Sequence, residues 1–119
     1  MMDQPSAAAL IEAVRAFLEK NAMPELSGRT QFHARVAANA LAIVARELAQ
    51  GPQACAGAQD RLRRLTGQSG DLMALNRALC AQIRDGHIAL DDPALVEHLW
   101  AVTRAKIAID QPGYASISP

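Results

Sequence analysis

The sequence predicts an all-α fold, a compact helical bundle of four main helices and one short helix. Three observations lead to it. Apolar residues recur at i, i+3, i+4 and i+7 over long windows. Alanine is the most frequent residue, half of the chain is hydrophobic and only 3% is aromatic, so the apolar content is aliphatic and favours helices. No alternating apolar and polar pattern exceeds a few residues, which leaves nothing from which to build a sheet. At 119 residues the chain has the size of one helical domain, and 1–119 is read as such, with 111–119 as an extended tail.

Pro5 and Ser6 open the first helix, which places Leu10, Val14, Phe17, Leu18 and Asn21 on one side and Glu12, Glu19 and Lys20 elsewhere. "NAMPELSG" should break it through Pro24 and Gly28. The second helix is expected over 29–50, stopped by "GP", with "GPQACAGAQ" as a weakly specified connector. A short third helix is expected in "QDRLRRLTG", with Leu62 and Leu65 inward and Gly67 as its C-terminal cap. "SGDLMALNRALCAQIRDG" gives the fourth helix, begun by Ser69 or Asp71 and ended at Gly86. "HIALDD" leads to the fifth, which has Asp92 as N-cap and Pro93 in its first turn and runs until Pro112 prevents continuation.

Composition excludes several function classes. Twelve basic and twelve acidic residues give no net charge, so no bulk field gathers nucleic acid or anionic lipid. The N-terminus lacks a basic n-region, and charges interrupt its apolar residues too early for a signal peptide or a membrane span. The expected setting is a cytoplasm. Cys55 and Cys80 match neither a CxxC pair nor a disulfide framework and read as reduced thiols, with Cys80 inert on an apolar helix face.

The stretch "FHARVAANALAIVARELA" raises the functional question. On a helical wheel Phe32, Val36, Ala40, Leu41, Ile43, Val44 and Leu48 spread over about half the circumference, while the reverse is Ala34, Ala38, Ala42, Ala45 and Ala49. Such a helix should be central and contacted on both sides. His33 then projects into the apolar arc and Asn39 sits beside Phe32 and Ile43. Asn76 falls between Leu72, Ile83 and Cys80 in the fourth helix, and Lys106 between Leu95, Leu99, Val102 and Ile109 in the fifth, with Asp110 one turn on. Buried polar groups have partners, so these four residues predict a shared inward cluster. Either it is a structural network, with Lys106 reaching Asp110 or Glu47, or it is a small polar pocket in which His33, Asn39, Asn76 and Lys106 hold an anionic or amide-bearing ligand.

Other chemistry finds no pattern. The histidines 33, 87 and 98 form no HxxxH or ExxH spacing, so neither a metal nor another cofactor is expected. Nucleophilic catalysis lacks an activated Ser or Cys, and "GQSGD" is too short for a phosphate loop. "RLRRL" reads as a solvated face, with Asp60 placed to pair with Arg64. Trp100 and Val96 project to one flank near Ile107, for core packing or for a homodimer or partner surface.

The segments "DQPSAAALIEAVRAFLE", "FHARVAANALAIVAREL", "DLMALNRALCAQIRDG" and "KIAIDQPGY", in that order, resemble a bacterial family of small all-helical proteins, a domain of unknown function. The likeness covers nearly the whole chain. It implies a companion of aminoglycoside-phosphotransferase-like kinases and acyl-CoA dehydrogenases, and hence a role in hydroxyacyl or acyl-CoA catabolism. Position 9 departs from the family, being alanine where relatives often carry an acid that completes a capping box with Ser6. The expected function is therefore a non-enzymatic accessory or interaction protein. The alternative is a small-molecule binding module, or an enzyme, using the inward polar cluster.

Overall fold

The computed structural model describes residues 3–114, and every regular element among them is helical. Helix α1 spans Ala7–Phe17 and starts as its sequence dictates: the Ser6 hydroxyl accepts the Ala9 N–H at 3.1 Å. Arg15 clamps Glu12 and Glu19, one turn to each side, at 2.6 and 2.9 Å. The expected break within "NAMPELSG" falls at Leu26 and Ser27, after Pro24 rather than at it. The chain stays helical through a π-helical turn, Leu18–Ala22, and a single turn α2, Met23–Glu25, before Leu26 becomes extended. In the wider turn the Met23 N–H reaches back five residues to the Leu18 carbonyl. That extra width just ahead of Pro24 gives its ring room and absorbs its missing donor.

Helix α3, Gly28–Thr66, is the main departure from expectation. The predicted second helix, the "GPQACAGAQ" connector and the short third helix are one continuous element, with Pro52 inside it. Two local facts explain this. A proline pushes its predecessor out of the α region through clashes with that residue's N–H and Cβ, and here the predecessor is Gly51, which lacks the Cβ part of the clash. The connector's alanines then carry the helix onward by propensity. A Cβ on Gly51 would also lie 2.7 Å from Glu47 Oε1, so the Glu47 carboxylate already fills the space. The C-terminal end matches the sequence: Gly67 takes φ +69°, and its N–H bonds the Arg63 carbonyl at 2.9 Å.

Helix α4 spans Leu72–Arg84, capped by the Asp71 carboxylate on the Ala74 N–H at 2.8 Å. Helix α5 spans Pro93–Asp110, and one Asp92 oxygen accepts both the Ala94 and Leu95 N–H groups. Pro93 occupies the first turn as predicted. Of the expected tail, 111–114 is exposed and contains a turn, with the Tyr114 N–H on the Gln111 carbonyl at 2.9 Å. Residues 115–119 lie outside the described residues.

The chain divides into two compact units, Met1–Gly51 and Pro52–Pro119. In the second, Leu62, Leu75, Leu79 and Leu95 form the core, with Leu65, Leu72, Ile83 and Ile88 packed against it. Thr66 closes the end of α3: its hydroxyl donates to the Leu62 carbonyl at 2.8 Å, while the Gln82 amide of α4 donates to the Thr66 carbonyl at 3.0 Å. In the first unit, of the two faces of α3 expected to be contacted, the alanine face is the more deeply packed, while on the large aliphatic face only Leu41 and Ile43 are half-buried. Ala38 is buried and Ala34, Ala42 and Ala45 are half-buried, so the alanine side of α3 faces inward. Phe32, Val36, Val44 and Leu48 remain exposed, as do Leu10, Val14 and Phe17 on α1. Small residues give the closest backbone approach, and that selects the alanine face as the more deeply packed one.

Candidate functional site

The four residues expected to point inward are all exposed: His33 and Asn39 in the first unit, Asn76 and Lys106 in the second. His33 meets the Phe32 ring edge-on with centroids 5.7 Å apart, and both lie on the exposed side of α3. In α4 the buried residues are Leu75 and Leu79. Asn76 and Cys80, one position further round, instead line a shallow apolar groove with Met73 and Arg77. Cys80 is thus an exposed free thiol, as is Cys55. In α5, Leu95 is buried but Leu99 is half exposed, and Lys106 follows the exposed side. The inward network is therefore corrected to a set of surface positions.

The buried polar side chain lies elsewhere. His98 is 3% exposed, on the stripe that Leu95 begins one turn earlier in α5. Its Nδ1 accepts the Nε–H of Arg61 from α3 at 3.2 Å. Because an arginine only donates, this bond requires a neutral imidazole with its proton on Nε2. Burial first, and the Arg61 charge second, push His98 below its ordinary value of 6.5, which keeps it in that form.

Arg61 also reaches a polar cavity of about 280 Å³, lined by Arg61, Arg64 and Leu65 of α3 and by Ala94 and Glu97 of α5. The three arginines of "RLRRL" are held differently. Arg63 pairs with the Asp60 carboxylate at 3.3 Å, replacing the Asp60–Arg64 pair that spacing suggested. Arg64 donates its Nε–H to the Asp60 carbonyl at 3.4 Å. Arg61 turns to His98, and its Nη1 runs past Gly57, where a Cβ would stand 3.3 Å away. Two guanidiniums thus line one cavity, each bonded through Nε, together with the single carboxylate of Glu97. The arrangement offers two cationic donors and one carboxylate, a set suited to binding a polar group. Among the described residues no group of three or more His, Cys, Asp or Glu side chains could hold a metal ion. A sequence signal for part of the site existed: His98 continues the Leu95 face at i+3. Its partner Arg61 lies 37 residues away and left no local trace.

Comparison with family models decides the kinship, since the model of a domain of unknown function, DUF6285, matches residues 24–114, well over half of the chain. The chain belongs to the DUF6285 family. The DUF6285 match takes in α3, α4 and α5, and with them Arg61, Arg64, Glu97 and His98, while α1 lies ahead of it. No curated protein and no solved structure matches the chain. No helix among the described residues is long and apolar enough to cross a membrane.

Proposed function

We propose that this DUF6285 chain is a non-enzymatic accessory protein of the cytoplasm that works by docking a protein partner on the exposed apolar side of its first unit. One observation carries the reading: Leu10, Val14 and Phe17 of α1 and Phe32, Val36, Val44 and Leu48 of α3 keep between 44% and 59% of their surface exposed. These are ridges at helical spacing, the form in which one helix seats in the groove of another. With about half of each side chain still to bury, each has roughly 1 kcal/mol left to gain, enough in sum to support association after ordering costs. His33 and Asn39 stand within and beside the α3 ridge. Polar residues in such a seam set the register of a partner, as a single asparagine does in a coiled coil.

The resemblance stated above suggests the partner: a kinase of the aminoglycoside-phosphotransferase type or an acyl-CoA dehydrogenase, within acyl-CoA catabolism. Co-expression with the kinase or dehydrogenase encoded beside it, followed by size-exclusion chromatography with light scattering, tests this. Co-elution of wild type, lost in Phe32→Asp, is the expected result. Separate elution together with unchanged kinase or dehydrogenase activity would count against it, and a homodimer alone would assign the ridge to a second copy.

A further inference from the structure

Beyond docking by the first unit, we infer that the cavity between the end of α3 and the start of α5 binds an oxyanion, the carboxylate or phosphoryl group of a small ligand, between Arg61 and Arg64. Both guanidiniums line the cavity, and among the described residues neither pairs with a carboxylate, although the neighbouring Arg63 does. Each is anchored through Nε, Arg61 on His98 and Arg64 on the Asp60 carbonyl. What remains on each is the terminal pair of N–H donors, the edge with which arginine grips carboxylate or phosphate in a bidentate manner. An unanchored surface arginine loses side-chain entropy when it binds; Arg61, tied to a buried residue of another helix, has already lost part of it.

The anchor itself is selective. His98 is buried and neutral, so it holds Arg61 in place without adding a charge that would compete for the ligand. Gly57, inside a helix where glycine costs about 1 kcal/mol relative to alanine, leaves the space through which the Arg61 guanidinium passes. The first amides of α5 contribute no donors, because Asp92 already accepts from Ala94 and Leu95. Recognition therefore rests on the two arginines. A cavity of about 280 Å³ lies at the lower limit of small-molecule sites, which fits a headgroup rather than a large cofactor. Glu97, facing the arginines, favours ligands that carry an N–H or O–H donor beside the anion and weakens bare anions.

Titrating the ¹⁵N-labelled full chain with sodium phosphate and with sodium acetate, against sodium chloride at matched ionic strength, tests the site through the Arg61 and Arg64 Nε–H signals. Saturable shifts of both signals are expected, absent with chloride, about tenfold weaker in Arg64→Ala and tighter in Glu97→Gln. Saturation by phosphate alone assigns a phosphoryl group, and by acetate alone a carboxylate. Arg64 is exposed, so its removal leaves the fold and the His98–Arg61 bond in place, whereas Arg61→Ala strips His98 of its partner. Shifts that track chloride, or saturation indifferent to Arg64→Ala, would overturn the assignment.

Discussion

Replacing Arg61 by leucine tests the centre of the second unit. The substitution keeps an apolar stem on α3 but removes the Nε–H that His98 Nδ1 accepts, leaving a buried acceptor unmade in a side chain only 3% exposed. An unsatisfied buried polar group costs about 1–3 kcal/mol, so the variant should melt about 4–12 °C lower at neutral pH. Trp100, half-buried in α5 with the Arg104 guanidinium 5.7 Å from its ring, gives a fluorescence probe of the same unit. The pH dependence adds an independent readout. His98 is held below its ordinary 6.5, so as pH falls beneath that value the unfolded chain takes up a proton that the folded one refuses. Its contribution to stability is complete above the unfolded value and is lost as pH falls through the folded one. Burial, the larger cause, persists in Arg61→Leu, while the arginine charge does not, so the loss on acidification should become shallower without vanishing. Denaturant midpoints across this range measure both effects. A variant within about 0.5 kcal/mol of wild type, with an unchanged pH slope, would refute the view that Arg61 and His98 anchor one another.

Leu62→Ala should cost about 3–5 kcal/mol by denaturant unfolding, because Leu62 is fully buried among Leu75, Leu79 and Leu95 and leaves a cavity behind. Pro52→Ala should stabilise by about 1–2 kcal/mol and raise helicity by circular dichroism, since an exposed proline inside α3 withholds one backbone donor. Asn39→Leu should leave the melting temperature nearly unchanged, within about 0.5 kcal/mol, as Asn39 is exposed; a loss above about 1 kcal/mol would mean that its amide satisfies a buried group.

How legible these features were in the sequence depends on how local their causes are. Ser6, Asp71 and Asp92 each cap the helix they precede, and Gly67 ends α3 in the left-handed region, because those contacts lie within four residues of the capping side chain or turn. The expected break at "GP" does not occur for a similarly local reason, since Gly51 lacks the Cβ that would add to the clash with Pro52. Helical periodicity shows which residues share a face, but not which face meets the rest of the protein. In α3 the alanines and the large aliphatics formed two coherent faces, and the sequence pattern offered both for contact. The more deeply packed face is the small one, with Ala38 at 2% exposure against 59% for Phe32, although Leu41 and Ile43 of the large face are half-buried. In α4 the misplacement is a single step: Leu75 and Leu79 are buried, and Asn76 and Cys80 follow each of them by one residue, about 100° round the helix.

The "RLRRL" run shows why the candidate site escaped a reading by spacing. Asp60 is the nearest acid in sequence to all three arginines, and the distance from it along the helix settles their roles. Three residues on, Arg63 takes its carboxylate; four residues on, Arg64 takes its carbonyl. Arg61 follows Asp60 directly and so points away from it, and the position one turn before it is Gly57, which has no side chain to offer. With no local partner, Arg61 is left for a tertiary one, and the acceptor it finds is the single buried histidine among the described residues. A zero net charge for the whole chain says nothing about this arrangement. One acid has satisfied the arginine that needed it least, and the two that face the cavity keep their charge and their terminal donors for something else.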